Sequence, residues 1–175
     1  MGDKMIIREA NMKDLQSIAK VHVDSSRTTY RGTIPDDYLD NLSYESKSKY
    51  WQESLFSDNR SQFMYIAETD DKNLVGFASA GLARTNDYYE RELYKIYILK
   101  EFQRKGTGKL LMKAIVRKLL DEDIKSMILW ALEDNPSRLF YDNLGGKIVD
   151  KRFIQRGEKE FIQVAYVWED ITSIL

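Results

Sequence analysis

The sequence predicts a single α/β domain over residues 1–175, a mixed and mostly antiparallel sheet of about seven strands flanked by helices. Three observations predict it. The span from 12 to 56 reads as mostly helical, and the chain after it breaks into short runs rich in aromatic and β-branched residues. One strongly amphipathic helix, Gly106 to about Leu120, interrupts those runs and has the position of a crossover between two strands. A chain of 175 residues, 43% hydrophobic and 31% charged, has material for one real core.

Each element follows from local chemistry. Met5-Ile6-Ile7-Arg8 is a short opening strand. Asn11 caps a helix whose Leu15, Ile18, Ala19 and His22 recur at i, i+3, i+4 and i+7, one buried stripe. Pro35 with Asp36 and Asp37 opens a second helical piece, since proline suits a first turn and acids suit its dipole. Ser43 caps a third through Tyr50, Trp51 and Leu55. Phe63 to Ala67 and Leu74 to Ala83 are strands joined by Asp70-Asp71-Lys72-Asn73, and Leu93 to Ile98 is another. In the helix from Gly106, Leu110, Leu111, Ala114, Ile115 and Leu119 face the core, while Lys113, Arg117 and Asp121 face water. Met127 to Leu132 is a buried strand, and Pro136 to Leu144 a short helix ended by Gly145-Gly146. Strands at about 147 to 155 and 159 to 168 form a hairpin across Arg156-Gly157-Glu158.

Composition removes several function classes. Lys and Arg total 27 against 28 Asp and Glu, a net charge of -1 that makes no global case for nucleic acid or an anionic membrane as partner. The chain has no cysteine, hence no disulfide framework, thiolate metal site or thiol nucleophile. Its one histidine, His22, argues against a histidine metal centre and a Ser-His-Asp triad, and reads as a half-buried structural residue; no metal is expected. The opening MGDKMIIREA lacks the apolar stretch of a signal peptide, so the expected location is cytoplasmic.

The sharpest signal is Gln103-Arg104-Lys105-Gly106-Thr107-Gly108, between a strand and the amphipathic helix. Its glycines let the backbone turn tightly and approach a ligand. The first turn of the next helix leaves amides unpaired where its dipole favours an anion. Arg104, Lys105 and Lys109 add positive charge, so the loop suits a pyrophosphate. A Walker loop fails because Lys109 is followed by Leu110 rather than Ser or Thr, and a dinucleotide fold fails because Leu111 stands where its third glycine belongs.

Gln103-x-x-Gly106-x-Gly108 resembles the signature of the GCN5-related N-acetyltransferases, in which glutamine or arginine is followed by a glycine three residues on and a glycine or alanine two later. Glu92 to Leu99 looks like that family's fourth strand, and Asn135-Pro136-Ser137-Arg138-Leu139-Phe140-Tyr141 with Leu144-Gly145-Gly146 is similar to its second conserved block. The order of elements agrees along essentially the whole chain.

The resemblance implies transfer of an acetyl group from acetyl-CoA to a primary amine, with the donor in a gap where the fourth and fifth strands splay apart. The edge of Ile96, Tyr97 and Ile98 would meet the pantetheine and thioester, the Ile98 N–H serving as oxyanion donor. Amides from Arg104 to Lys109, Thr107 included, would hold the pyrophosphate. Asn135 would bond the pantetheine arm with help from Ser137, and Tyr141 would protonate the leaving thiolate. Glu92 stands eleven residues before Gln103, where histone-type members carry a catalytic glutamate. Trp130 occupies the fifth-strand place where ribosomal-protein acetyltransferases carry an acid. With no thiol nucleophile, direct attack in a ternary complex is favoured over a ping-pong route.

The acceptor site would come from Ser25 to Pro35, Arg84 to Glu92 and the final turn. Asp87, Glu90 and Glu92 favour a cationic acceptor there. The acceptor is a small-molecule amine or a protein amino group, and a homodimer pairing through the last strands is the family's expectation. A non-catalytic acyl-CoA sensor of the same fold is the alternative.

Overall fold

The computed structural model describes residues 4–58, 62–84, 88–156 and 158–175. Seven strands form one sheet in the order β1-β2-β3-β4-β5-β7-β6. They are β1 (Ile6–Glu9), β2 (Gln62–Glu68), β3 (Leu74–Leu82), β4 (Arg91–Ile98), β5 (Met127–Leu132), β6 (Lys147–Arg156) and β7 (Lys159–Trp168). Every neighbouring pair is antiparallel except β4 and β5, which run parallel across the expected helical crossover. That parallel pair is registered at one position, Glu92 opposite Ile128. Beyond it the two strands diverge.

Helices α1 (Leu15–Tyr30), α2 (Asp36–Asp40) and α3 (Tyr44–Phe56) precede β2; α4 (Thr107–Asp121) and α5 (Arg138–Asn143) flank β5. The sequence caps act as expected. Asn11 and Asp14 form a reciprocal capping box around a 3-10 turn that leads into α1, and the Ser43 hydroxyl accepts from the Ser46 N–H. Asp14 also receives both Arg8 guanidinium nitrogens at 2.8 Å, and Arg8 reaches Glu68 at 2.9 Å, tying β1, β2 and the entry to α1 together.

Two apolar layers sandwich the sheet. On one face α4 buries Leu111, Met112, Ile115, Val116 and Leu119 against Leu93, Leu129 and Tyr166. On the other, Ile18, Val21, Trp51 and Leu55 of α1 and α3 cover Met64, Ile66 and Phe77. The stripe on α4 is shifted from the one read in the sequence: Met112 and Val116 are fully buried, whereas Leu110 is exposed. A 3-10 turn, Ile171–Ile174, capped by the Asp170 side chain, packs Ile171 and Ile174 into the α4 layer.

One irregularity redirects a predicted residue. The β3–β4 register skips a residue, with Ser79 opposite Lys95 but Ala80 opposite Leu93, so Tyr94 is a β-bulge. Strict alternation would place Leu93 on the face opposite Ile96. The bulge instead lets Leu93, Ile96 and Ile98 all pack on the α4 side, and turns Glu92 away from it.

Candidate active site

Where β4 and β5 part, a cavity of about 1110 Å³ opens and runs from the start of α4 to the region enclosed by α1, α3 and the β6–β7 hairpin. Its middle is walled by Ile96, Tyr97 and Ile98 on one side and by Leu129, Trp130, Ala131, Asn135 and Tyr141 on the other. Hydrogen bonding fixes which way the β4 backbone faces. The Leu99 N–H donates to the Val75 carbonyl at 2.9 Å, so the alternating ladder aims the polar groups of Ile98 into the gap. The Ile98 carbonyl accordingly accepts from the Gln103 side chain at 2.9 Å. Gln103 thus braces the loop against β4 with its own amide.

The loop has the conformation its glycines allow. Gly106 stands at the N-cap of α4 with φ +86°, and Arg104 before it also has positive φ, +60°. The Leu110 N–H is the first to close a helical turn, on the Gly106 carbonyl at 3.1 Å; the amides from 104 to 109 precede that bond. Gly108 serves close approach: a Cβ there would lie 3.1 Å from the Phe140 ring and 3.3 Å from Ile98. Arg104, Gly106, Gly108 and Lys109 face the cavity, joined by Lys100, which the sequence did not single out. Thr107 is buried with its hydroxyl turned back to the Phe102 carbonyl at 3.4 Å, and the Lys105 ammonium lies over the Phe102 ring at 5.4 Å. Both side chains are therefore occupied locally, and Thr107 is placed to contribute its amide alone.

On the facing wall, the Asn135 side-chain oxygen accepts from the Ser137 N–H at 2.8 Å, which leaves its NH₂ as a donor. Tyr141, 4% exposed, packs against Tyr166 and Phe140 with ring centroids 5.5 and 5.6 Å away. Burial, then the neighbouring Tyr97 and Tyr166 phenols, hold its pKa well above the ordinary 10. Tyr141 is thus a phenol that keeps its proton throughout the neutral range.

The far end departs most from expectation. Glu92 is buried at 1% exposure and does not line the cavity. Its Oε1 accepts from the Arg84 guanidinium at 2.6 Å, and its Oε2 from the Arg84 N–H and Nε at 3.1 and 3.3 Å. Arg84 also covers the ring of the bulged Tyr94 at 4.1 Å. Glu90 does not line the cavity, and Asp87 lies outside the described residues, as does Gly157 of the last turn. Among the described residues no Asp or Glu lines the cavity at all. Lys47, Arg84, Lys95, Arg152 and Arg156 do. Of the acids read as favouring a cationic acceptor, the two described ones, Glu90 and Glu92, are thus off the wall, and the described charges on it are basic.

His22 is more deeply buried than anticipated, at 4% exposure, and stacks on Tyr97 with centroids 5.0 Å apart. Its Nδ1 accepts from the Trp51 indole N–H at 3.1 Å. Burial, aided by Lys47 and Lys95, lowers its pKa from 6.5 to about 3. A folded value below the unfolded one means the native state refuses a proton that the unfolded chain accepts. The stability this confers is whole above pH 6.5 and is lost as pH falls toward 3. We predict a loss approaching ~1.4 kcal/mol per pH unit inside that window, measured by chemical denaturation, with a flatter acid limb in His22→Gln.

Comparison with known proteins agrees with this architecture. Residues 25–145 match the model of the Acetyltransferase (GNAT) family. The chain is 35% identical over 169 residues to the uncharacterized N-acetyltransferase YuaI of Bacillus subtilis, covering 96% of this chain and 95% of that protein. It is 24% identical to a spermidine N(1)-acetyltransferase of Thermoplasma acidophilum, over 82% of this chain and 89% of that one. The PaiA N-acetyltransferase of Thermoplasma acidophilum, solved in complex with coenzyme A, superposes with a TM-score of 0.68 at 22% identity over 92% of this chain and 98% of that one. At that identity the last likeness shows the fold; the matches in sequence show more, and the chain belongs to the GNAT acetyltransferase family.

Proposed function

We propose that this chain moves an acetyl group from acetyl-CoA to a primary amine, by direct attack within a ternary complex. The observation that carries the reading is the gap between β4 and β5, with the Ile98 N–H turned into it from one side and the protonated Tyr141 phenol lining the other. The fit to the donor rests on the loop and its charges. The amides from 104 to 109 precede the first helical bond of α4, the space beside Gly106 is open, and Lys100, Arg104 and Lys109 face the same mouth. Asn135 offers its NH₂ group, and Ser137 lines the wall beside it.

In the proposed reaction the amine nitrogen attacks the thioester carbonyl carbon. The Ile98 N–H donates to the oxygen as negative charge gathers there. The carbon–sulfur bond then breaks, and Tyr141 gives its proton to the departing sulfur. Glu92 does not suit the role of base, because Arg84 occupies both its oxygens and it is absent from the cavity wall. We predict that Glu92→Gln lowers stability by about 1–2 kcal/mol, yet leaves the transfer rate per folded molecule within a few-fold. A hundredfold fall in that rate at unchanged folding would return the base to Glu92.

Calorimetric titration with acetyl-CoA, CoA and ATP, followed by thiol release in the presence of amines, tests the reading as a whole. Micromolar binding of both CoA species with ATP inert, and then turnover, is the expected result. Absence of CoA binding overturns it, while tight binding without turnover of any amine favours a sensor of the same fold. β6 is the outermost strand and exposes Val149 and Phe153, which supports pairing of two copies through the closing hairpin.

A further inference from the structure

The inner half of the cavity is chemically one-sided. Lys47 comes from α3, Arg84 from the end of β3, Lys95 from β4, and Arg152 and Arg156 from β6. Arg84 alone of these five has an ion-pair partner among the described residues, Glu92. Among the described residues Lys47, Lys95, Arg152 and Arg156 form no ion pair.

Three of these cations are held in place by neighbouring side chains, and Arg156 stands exposed at the rim. The Lys95 ammonium is 3.3 Å from the Tyr50 hydroxyl and 5.3 Å from the centre of that ring, and the Lys47 ammonium is 5.8 Å from the same centre. Arg152 lies 4.0 Å over Trp130 and donates to Gln163 at 2.8 Å. They also repel one another. Burial lowers the pKa of Lys47, with Lys95 and Arg156 adding to the effect. Burial likewise lowers that of Arg152, where Glu92 opposes and Arg84 and Arg156 reinforce the shift. Four cations with no ion-pair partner among the described residues, three of them partly buried, are costly to hold around one space unless an anion completes the set.

We infer that the acceptor is a small amine carrying its own anionic group, a carboxylate or a phosphorus oxyacid, seated on Lys47, Lys95, Arg152 and Arg156. This rests on the acetyl-transfer reading and narrows its substrate class. Seating the anion orients the amine toward the gap. The same positive field lowers the pKa of a bound ammonium, which eases loss of its proton before attack even though no carboxylate among the described residues lines the wall. A polyamine fares worst here, since each of its charges meets like charge.

The test has two arms. In the first, protein saturated with CoA, so that the pyrophosphate loop is filled, is titrated with methylphosphonate and followed by calorimetry. Saturable binding is expected, weakened at least tenfold in K47Q/R156Q and again in K95Q, with thermal unfolding confirming that each variant folds. In the second, thiol release from acetyl-CoA is compared for 4-aminobutyrate, 3-aminopropylphosphonate, n-butylamine and spermidine. The two anionic amines should exceed spermidine at least a hundredfold in kcat/KM, and K47Q/R156Q should lose that preference mainly through KM. Absence of methylphosphonate binding, binding indifferent to the substitutions, or spermidine as the better acceptor would each overturn the inference. A protein that fails to bind acetyl-CoA instead refutes the underlying reading, and this is seen before either arm begins.

Discussion

Gly106→Asp is expected to weaken acetyl-CoA binding at least a hundredfold in calorimetry, while the protein still folds. A Cβ at Gly106 would meet nothing within 4 Å, so the substitution does not fail by collision with the fold. Its local cost is the left-handed backbone, φ +86°, about 1 kcal/mol for a residue with a side chain. The larger effect is electrostatic. A carboxylate about 5 Å from a pyrophosphate charge, at an effective dielectric of about 20, costs ~3 kcal/mol per charge. Lys100, Arg104 and Lys109 offset part of that, which keeps the expected loss near two orders of magnitude. Gly106→Asn separates the two contributions, because asparagine tolerates the left-handed region and carries no charge. It should bind within about tenfold of the parent by the same backbone reckoning. Normal acetyl-CoA binding by the aspartate variant would move the pyrophosphate away from this loop.

Tyr141→Phe is expected to lower the transfer rate by about 10²- to 10⁴-fold, the usual worth of a positioned proton donor, with acetyl-CoA affinity unchanged. The ring stays packed among Phe140, Tyr166 and Trp168, so stability should shift by no more than about 1 kcal/mol. The pH profile carries the assignment further. Because the phenol's pKa is raised, the parent enzyme should hold its rate through neutral and moderately alkaline pH and lose it only above the ordinary phenol range. In the variant that alkaline fall should disappear. Equal rates in the two proteins would remove Tyr141 from the chemistry and leave it a core aromatic.

The parts of this site that were legible in the sequence are those written contiguously. Gln103 to Lys109 shows its loop, its helix start and its charges within seven residues, and Asn135 to Tyr141 is nearly as compact. The basic end of the cavity is assembled the opposite way. Lys47, Lys95, Arg152 and Arg156 are four of 27 Lys and Arg residues, without shared spacing, on α3, β4 and β6. Only the sheet order, which sets β6 beyond β7 and folds the hairpin over the gap, brings them together. Glu92 was singled out by its distance from Gln103, and a count along the chain does not register the extra residue at Tyr94, where one bulge exchanges the faces of everything before it. The Pro35 helix, the crossover and the closing hairpin were legible because each is dictated by local turn chemistry or by a single strong period.

The solitary Glu92–Ile128 rung between β4 and β5 makes this sheet a pair of plates sharing a pivot. One plate, β1 to β4 with α4, carries the Ile98 N–H and the loop; the other, β5 to β7 with α5, carries Asn135 and Tyr141. From Glu92 to Ile98 is a lever of roughly 20 Å, so a rotation of about 5° at the pivot changes the width of the far mouth by about 2 Å. The stop at that mouth is the Phe140 ring resting on Gly108, where even one methyl group would intrude at 3.1 Å. A glycine in the loop and an aromatic next to Tyr141 therefore set how near the two plates come at that mouth. Gly108→Ala, which the family signature itself admits, would press on the Phe140 ring by only a few tenths of an ångström, the finest adjustment this spacing offers.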